Sequence, residues 1–255
     1  MAAIYLIRHG QASWGKRDYD ALSDQGIEQA KILGEALAQR IGTADAVFCG
    51  GMKRHRQTAQ YALTTMLGKK IAEQSGGDNE HWREDCRWDE YDHQELIVRH
   101  KPLYKSHVVM LADLARTLRP REAFQEMFEH ALNRWVNQDH DHEYKESWSE
   151  FTRRVNDGLA DLAAASHTEK SSTEKTLSPN DYRTHNTLVF TSGGAISAVV
   201  KSLWNMPDTE WMRLNRVIAN ASITKIVVGK RGLSLSTFNE HAHFEGEQRS
   251  MLSYR

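Results

Sequence analysis

The stretch Ile4-Tyr5-Leu6-Ile7-Arg8-His9-Gly10 joins a short apolar run to a cation, an imidazole and a glycine. The apolar run has the length of a β-strand that is buried on both faces of a sheet. In open α/β sheets, ligands bind just beyond the carboxyl ends of the strands. An arginine there can hold a phosphate through two parallel hydrogen bonds, and a neutral histidine can attack phosphorus. The stretch therefore predicts a first strand that ends at a phosphate site.

A second element follows this strand after a polar loop. It reads Leu22-Ser23-Asp24-Gln25-Gly26-Ile27-Glu28-Gln29-Ala30, and Ser23 is placed to cap a helix. The strand, the Arg8-His9-Gly10 turn and this element together resemble the histidine phosphatase superfamily, in the branch that includes cofactor-dependent phosphoglycerate mutase. That family opens with a strand, Arg-His-Gly, and then Leu-(Ser/Thr)-x-x-Gly-x-x-Gln-Ala. The resemblance implies a phosphoryl-transfer site with His9 as the nucleophile.

The order of the segments predicts the fold class. We expect a three-layer α/β/α sandwich with a mostly parallel central sheet, an antiparallel edge and an inserted helical cap. The whole chain, 1–255, is expected to form one phosphoglycerate mutase-like domain, with its core at 1–75 and 186–255 and the cap insertion at about 76–185. After the first strand, the expected strands are Ala46–Cys49, Ile71–Gln74, Thr187–Thr191, a strand through Val228, and Leu233–Phe238.

Apolar residues at three- and four-residue steps predict the helices that cover the sheet and fill the cap. One stripe follows Ser23, a second follows Met52, and two lie within the expected cap. The four stripes are Ile27, Ala30, Leu33, Leu37 and Ile41; Ala59, Ala62, Leu63 and Met66; Phe124, Met127, Phe128, Ala131, Leu132 and Trp135; and Phe151, Val155, Leu159 and Leu162.

A second anion site is expected where the strand Ala46–Cys49 ends at Gly50-Gly51 and a helix begins. The first backbone amides of a helix have no partner within it and favour anions. The stretch from Gly50 to Ala59 resembles the family motif Ser-x-(Leu/Met)-x-Arg-Ala-x-Gln-Thr-Ala, which assigns Arg54 to phosphate binding beside Arg8. Ser13 is also able to donate to a phosphate oxygen, although a serine there can equally hold a turn.

The family carries a Leu-x-Glu element after its third strand, and that glutamate is the proton donor. Trp88-Asp89-Glu90 is the nearest match in this chain, so Glu90 is our candidate for the acid. Asp89 and Asp92 are competing carboxylates. The glycine that the family has a few residues later is missing here, and His93 stands near its place.

The chain departs from the family after the strand Thr187–Thr191. The family has Ser-His-Gly-Gly there, with its second active-site histidine, whereas this chain has Thr191-Ser192-Gly193-Gly194. Ser192 therefore stands for the lost imidazole, and Gly193 opens the helix at the phosphate. A serine hydroxyl can still donate a hydrogen bond, but it is shorter and neutral. Two outcomes are open. Either His185, His55 or His243 fills the gap, or the protein is a slow phosphatase or a phosphate-binding relic.

The residues favour a metal-independent phosphomonoester hydrolase that forms a transient phosphohistidine on His9. One alternative is a weak or inactive module that binds phosphate and regulates. Another is a phosphoglycerate mutase-type phosphotransferase, although the segment Asp92–Leu96 does not resemble the long stretch that mutases carry after the acid. The expected substrate is a small phosphorylated molecule or a phosphoprotein, without an organic cofactor, and the sequence leaves room for a homodimer.

The composition excludes several other classes. A formal net charge of −1 does not indicate a surface that binds nucleic acid or an anionic membrane. Two cysteines make neither a disulfide framework nor a metal site, and the His and Asp residues at 139–143 lack metal-ligand spacing. No apolar run approaches the roughly 20 residues that span a bilayer, and we expect no secretion signal before the first strand. We therefore expect a cytoplasmic protein.

Overall fold

The computed structural model describes residues 2–13, 20–68, 82–173 and 184–254. The strands within them are β1 (Ala2–Arg8), β2 (Ala46–Cys49), β3 (Arg83–Glu84), β4 (His185–Thr191), β5 (Ile223–Gly229) and β6 (Gly232–Glu240). They form one sheet in the order β3-β2-β4-β1-β5-β6. The first four run parallel to one another, while β5 is antiparallel to β1 and β6 is antiparallel to β5. The mostly parallel sheet with an antiparallel edge pair is thus confirmed.

Helices cover both faces of the sheet, because successive residues of β1 point to opposite sides. Ala3, Tyr5 and Ile7 pack with the helices α1 (Asp24–Ile41) and α2 (Lys53–Leu67). Ile4 and Leu6 pack with the helices α6 (Trp148–Thr173) and α7 (Gly193–Leu203). The predicted three-layer sandwich is confirmed. The helices are α1 (Asp24–Ile41), α2 (Lys53–Leu67), α3 (His93–His100), α4 (His107–Ala115), α5 (Pro120–Val136), α6 (Trp148–Thr173), α7 (Gly193–Leu203) and α8 (Trp211–Val217).

The expected helix signals are found at the predicted places. Ser23 caps α1, since its hydroxyl accepts a 3.0 Å hydrogen bond from the amide of Gly26. All four stripe residues of α2 are buried, as are all four of α6. The strand expected at Ile71–Gln74 lies outside the described residues. The short strand β3, which pairs in parallel with β2, was not predicted.

An aromatic cluster joins the expected cap to the sheet. Its members, Tyr91, Trp135, Trp148, Phe151 and Trp211, have neighbouring ring centroids 5.0 to 6.4 Å apart. These residues share one buried core with β1, β4 and α7. The segment that carries Tyr91 is therefore fixed against the sheet, whereas the boundary between core and cap stays a prediction.

Membrane insertion by a helix finds no support in the part of the chain that the structure describes. None of the helices there is both long and apolar enough to cross a bilayer.

Candidate active site

The carboxyl ends of three neighbouring strands converge at one edge of the sheet. Arg8 at the end of β1 is in register with Thr191 at the end of β4. The amide of His9 donates to the carbonyl of Thr191 at 2.9 Å, and the amide of Gly50, just after β2, donates to Phe190 at 3.0 Å. The turns that carry His9, Gly50 and Ser192 therefore lie side by side, where open α/β sheets bind ligands.

Two glycines fix the backbone around His9. A Cβ on Gly10 would lie 2.4 Å from the carbonyl oxygen of Gly26, and a Cβ on Gly26 would lie 2.2 Å from the carbonyl oxygen of Gln11. The loop after His9 therefore packs directly on the first turn of α1. This contact explains why the Arg-His-Gly turn and the Leu-Ser-x-x-Gly element occur together at this spacing.

The imidazole of His9 is buried and held in one tautomer. Its Nδ1 lies 2.6 Å from the carbonyl oxygen of Gly10, which can only accept, so Nδ1 carries the proton. Burial lowers the pKa of His9 well below its ordinary value, and the charges of Arg54 and Arg8 lower it further. The ring is therefore neutral near pH 7, and Nε2 keeps its lone pair.

The guanidinium groups of Arg54 and Arg8 lie close enough to His9 that their charges lower its pKa. Arg54, in the first turn of α2, is buried, and its Nη1 pairs with Asp20 Oδ1 at 3.0 Å. Its Nε has no hydrogen-bond partner within the described residues. Arg8 donates through Nη1 to the carbonyl oxygens of Ile218 and Tyr254, the latter at 3.2 Å. The structure thus brings Arg8 and Arg54 to the same imidazole from two strand ends.

The three candidate carboxylates face different partners. Asp92 caps α3 by accepting from the amide of Glu95, and Asp89 Oδ1 accepts from the amide of Gly51 at 2.6 Å. Glu90 Oε2 accepts from the amide of Gly194 at 3.0 Å.

The environment of Glu90 suits a proton donor. Burial raises the pKa of Glu90 above its ordinary value, while the Gly194 amide and the charges of Arg54 and Arg8 oppose that rise. The same two arginines therefore act on Glu90 and on His9. The carboxylate of Asp92, in contrast, serves as the N-cap of α3.

Ser13 and Gly193 differ in their position. The buried hydroxyl of Ser13 donates its single proton to the carbonyl of Leu22 at 2.9 Å, so it holds the loop, and its assignment to phosphate stays a prediction. Gly193 opens α7 beside Arg8, since a Cβ there would lie 3.5 Å from Arg8 Nε. A Cβ on Gly193 would also lie 2.7 Å from Asn215 Oδ1, so a larger residue at this turn would require the Asn215 side chain to move.

The structure separates the three histidines that were candidates for the lost imidazole. His185 begins β4 at the opposite end of the strand from Ser192. His243 binds the carbonyl of Ala221 through Nε2 at 3.0 Å. His55, in the first turn of α2, is fully buried, and its ring centroid lies 5.7 Å from that of His9. His55 is thus the candidate that the fold places at the site.

Sequence reasoning missed the residues that hold the backbone of the site. Asn220 donates to the carbonyl of His9 at 3.2 Å, and the amide of Gly10 donates to Thr58 Oγ1 at 3.0 Å. Gln29 and Gln57 accept from loop amides at 2.8 Å each. Gln29, Gln57 and Thr58 belong to the quoted motifs, so the signal was present in the sequence, but their structural task was not recognised.

The family assignment follows from a comparison with protein-family models. The model of the histidine phosphatase superfamily (branch 1) matches residues 4–105 and 116–241. This chain belongs to the histidine phosphatase superfamily. The matched ranges include every strand end that forms the site described above.

Curated relatives of this superfamily member are similar over short stretches. A 2,3-bisphosphoglycerate-dependent phosphoglycerate mutase from Hydrogenobaculum sp. is 40% identical over 73 residues, which is 26% of this chain and 29% of the relative. The corresponding mutase of Chlamydia pneumoniae is 35% identical over 77 residues, which is 28% of this chain and 33% of the relative. The chain therefore spans about a third of the length of the curated relatives that it matches.

Solved structures match nearly the whole superfamily fold at low identity. A phosphoglycerate mutase from Bacillus anthracis has a TM-score of 0.58 and 16% identity, covering 95% of this chain and 94% of its own. A phosphoserine phosphatase mutant from Entamoeba histolytica, in complex with phosphoserine, has a TM-score of 0.56 and 15% identity. The match covers 95% of this chain and 99% of the phosphatase chain. A mycobacterial glucosyl-3-phosphoglycerate phosphatase has a TM-score of 0.56 and 18% identity, and the match covers 95% of this chain and 100% of the phosphatase chain. At this identity, the matches establish the fold.

A metal centre has no ligand set in the described residues. Groups of three or more His, Cys, Asp or Glu side chains that could hold an ion are absent from 2–13, 20–68, 82–173 and 184–254. The segment Asp141–Glu143 forms a short 3-10 turn, and His140 Nδ1 lies 3.1 Å from Glu143 Oε1 within it.

Proposed function

We propose that this superfamily member is a phosphomonoester hydrolase that works through a transient phosphohistidine on Nε2 of His9. The observation that carries the proposal is the state of this imidazole. Nδ1 is held by the Gly10 carbonyl, and burial together with Arg54 and Arg8 lowers the pKa of His9, so an unprotonated nitrogen faces two guanidinium groups. A lone pair opposite two cations is the arrangement that attack on a phosphate dianion needs.

The first half-reaction transfers the phosphoryl group to the enzyme. His9 Nε2 forms a bond to phosphorus, and the bond between phosphorus and the leaving oxygen breaks. Glu90 gives its proton to that oxygen, which departs as an alcohol. A carboxyl group whose pKa is raised by burial keeps this proton at higher pH than an ordinary glutamate does.

The second half-reaction returns His9. Glu90, now a carboxylate, takes a proton from water while the water oxygen attacks phosphorus. The bond between phosphorus and Nε2 breaks, and inorganic phosphate leaves. Arg8, Arg54 and the amide of Gly193 would hold the equatorial oxygens through both steps. Since the arginines supply the positive charge, the proposed cycle uses no metal ion.

Two other functions have a specific observation in their favour. The local identity to phosphoglycerate mutases favours a phosphotransferase, which would need a pocket that excludes water and retains the substrate. The replacement of the second histidine by Ser192 favours a module that binds phosphorylated ligands without turnover. Hydrolysis remains our proposal because His9, Arg8, Arg54 and Glu90 all meet at one site, and because similar solved structures include two phosphatases.

The experiment compares the wild type with His9→Ala on p-nitrophenyl phosphate and on a set of sugar and amino-acid phosphates. We expect turnover and an acid-labile, base-stable phosphoenzyme in the wild type and neither in His9→Ala. His142→Ala, which removes an exposed imidazole, is the matched control and should behave like the wild type. Equal background turnover in wild type and His9→Ala contradicts the proposal, and phosphate binding without turnover would favour the binding module.

A further inference from the structure

A second imidazole lies next to His9 and is not used in the cycle above. His55 is fully buried, and its Nε2 lies 2.6 Å from Ser192 Oγ. Ser192 is also fully buried and occupies the N-cap position of α7, yet its hydroxyl makes no capping hydrogen bond to the first turn of that helix. The hydroxyl is therefore oriented by His55 rather than by the helix that it precedes.

Three departures from the family motifs meet at this contact. Gly50 stands where the motif has Ser, His55 where it has Ala, and Ser192 where it has His. A Cβ on Gly50 would lie 2.4 Å from His55 Nδ1, so the imidazole fits only because position 50 is glycine. Residues 50 and 55 follow β2, whereas residue 192 follows β4. The three changed residues therefore come into contact with one another only in the folded chain. An imidazole lost from one strand end is thus present at the next.

We propose that His55 and Ser192 form a hydrogen-bonded pair that replaces the missing imidazole. The Ser192 hydroxyl donates a hydrogen bond to the phosphoryl group in transit, and His55 positions that hydroxyl. The inference rests on the proposed phosphohistidine cycle, and it assigns the donor that this cycle otherwise lacks. Ser192 is the catalytic residue of the pair, and His55 is a positioning residue.

The location of the His55 proton follows from its surroundings. Burial and the charges of Arg54 and Arg56 lower the pKa of His55 well below its ordinary value, so the ring is neutral and carries one N–H. Within the described residues Nδ1 has no hydrogen-bond partner, and the nearest carboxylate oxygen, Asp89 Oδ1, lies 3.9 Å away, beyond hydrogen-bond distance.

The proton therefore belongs on Nε2, where Ser192 Oγ accepts its hydrogen bond, because a buried N–H without a partner is unfavourable. With its lone pair engaged by His55, the serine keeps its own proton for a second bond. Hydrogen bonds in series polarise one another, so the His55–Ser192–phosphoryl chain donates more strongly than an isolated serine. The neutral pair thereby donates a hydrogen bond to the phosphoryl group in place of the charged imidazole that the family has there.

The test is a mutant cycle on the active enzyme with His55→Ala, Ser192→Ala and the double variant. Removal of a transition-state donor lowers the rate about 10²-fold, so we expect each single variant to lose about that factor in kcat with little change in KM. The double variant should lose no more than the worse single variant, since both act through one hydrogen bond to the substrate. Ser192→Thr, which keeps the hydroxyl, should retain most of the activity.

A swap restores the family arrangement at the two positions. His55→Ala combined with Ser192→His moves the imidazole back to β4, and we expect it to recover at least about tenfold in kcat over His55→Ala alone. His55→Ala with wild-type kcat, or losses that multiply in the double variant, would overturn the inference while the phosphatase proposal stands. A wild type without turnover or phosphohistidine would overturn both.

A second measurement covers variants that do not fold. Nitrogen NMR of histidine-labelled wild type reports which ring nitrogen of His55 is protonated. We expect the Nε2–H tautomer from pH 6 to 8, and a shift of its signal when vanadate binds at His9. A proton on Nδ1, or a His55 signal that does not respond to vanadate, would count against the pair.

Discussion

Glu90 is tied to the first turn of α7, where its Oε2 accepts a 3.0 Å hydrogen bond from the amide of Gly194. A Cβ on Gly194 would lie 2.1 Å from Glu90 Oε1. The indole of Trp211 donates to the carbonyl of Gly194 at 2.9 Å and so fixes the same glycine from its other side. The turn after β4 therefore positions the proposed acid and also carries Ser192.

Gly194→Ala should reduce activity far more than stability. The new methyl group displaces the carboxylate of Glu90, and losing a positioned general acid costs about 10²-fold or more in kcat. The unfolding free energy should fall by only about 1–2 kcal/mol, because the displaced atoms belong to side chains. Steady-state kinetics and urea unfolding measure the two effects. Gly229→Ala, where the nearest atom lies at 3.8 Å, is the control; a Gly194→Ala enzyme with normal kcat would speak against this role of the turn.

Glu90→Gln should show a strong dependence on the leaving group. An alkyl phosphate needs a proton on its departing oxygen, so we expect kcat to fall about 10²–10⁴-fold. p-Nitrophenyl phosphate releases a stable phenolate and should lose much less. Asp92→Asn, which keeps a good N-cap on α3, is the matched control. Equal losses on both substrates would remove Glu90 from the role of acid.

The pH dependence of kcat should have a plateau that extends below the ordinary pKa of histidine and above that of glutamate. The lowered pKa of His9 keeps the nucleophile unprotonated well below pH 6.5, and the raised pKa of Glu90 keeps the acid protonated above pH 4.5. Rate profiles on an alkyl phosphate should therefore fall at alkaline pH as Glu90 loses its proton. In Glu90→Gln this alkaline limb should disappear from the residual activity, and its persistence would assign it to another group.

Acid should destabilise the fold through its buried neutral imidazoles. Burial lowers the pKa of His243 from 6.5 to about 4. Between these two pH values, the unfolded chain binds a proton on this imidazole that the folded chain does not bind. The contribution of His243 is complete above pH 6.5 and is lost as the pH falls towards 4. Urea unfolding at a series of pH values should show this slope, and His243→Gln should reduce it. An unchanged slope would contradict the assignment.

Asp20→Asn should strengthen anion binding. The carboxylate of Asp20 accepts from the amide of Lys53 at 2.7 Å and pairs with Arg54 at 3.0 Å, so it places a negative charge where a phosphate would approach. Asparagine removes the charge and keeps one of the two hydrogen bonds, because it has a single acceptor oxygen. We expect the inhibition constant of inorganic phosphate to fall about fivefold, in line with ~1 kcal/mol for a partly exposed ion pair. Asp24→Asn, in the exposed first turn of α1, is the control, and weaker phosphate inhibition in Asp20→Asn would sink the idea.

Local sequence signals predicted the first two βα units well. A buried strand, an N-cap serine and an apolar stripe are each encoded within a few neighbouring residues, so β1, Ser23 and α2 were found where expected. The spacing between Gly10 and Gly26 carried additional information, because those two backbones touch. Motifs of this kind record a contact as well as a chemistry.

Long-range pairings were beyond such signals. The contact between His55 and Ser192 joins residues 137 positions apart, and the contact between Arg8 and Tyr254 joins residues 246 apart. The two-residue strand β3 is too short for an alternating pattern to reveal. The periodicity of α6 predicted its buried stripe but not that this stripe packs against β1. Each of these features depends on which segments meet, and periodicity alone does not encode that.

The central place of β1 in the sheet has a consequence for biosynthesis. Its two neighbours, β4 and β5, begin at His185 and Ile223, so β1 leaves the ribosome well before either of its edges can be paired. An apolar strand with two open edges is prone to self-association. Such non-local pairing also slows folding. The nascent chain in which β1 is made but β4 and β5 are not is therefore the aggregation-sensitive species, and chaperones that shield Ile4–Ile7 should raise the yield of native protein.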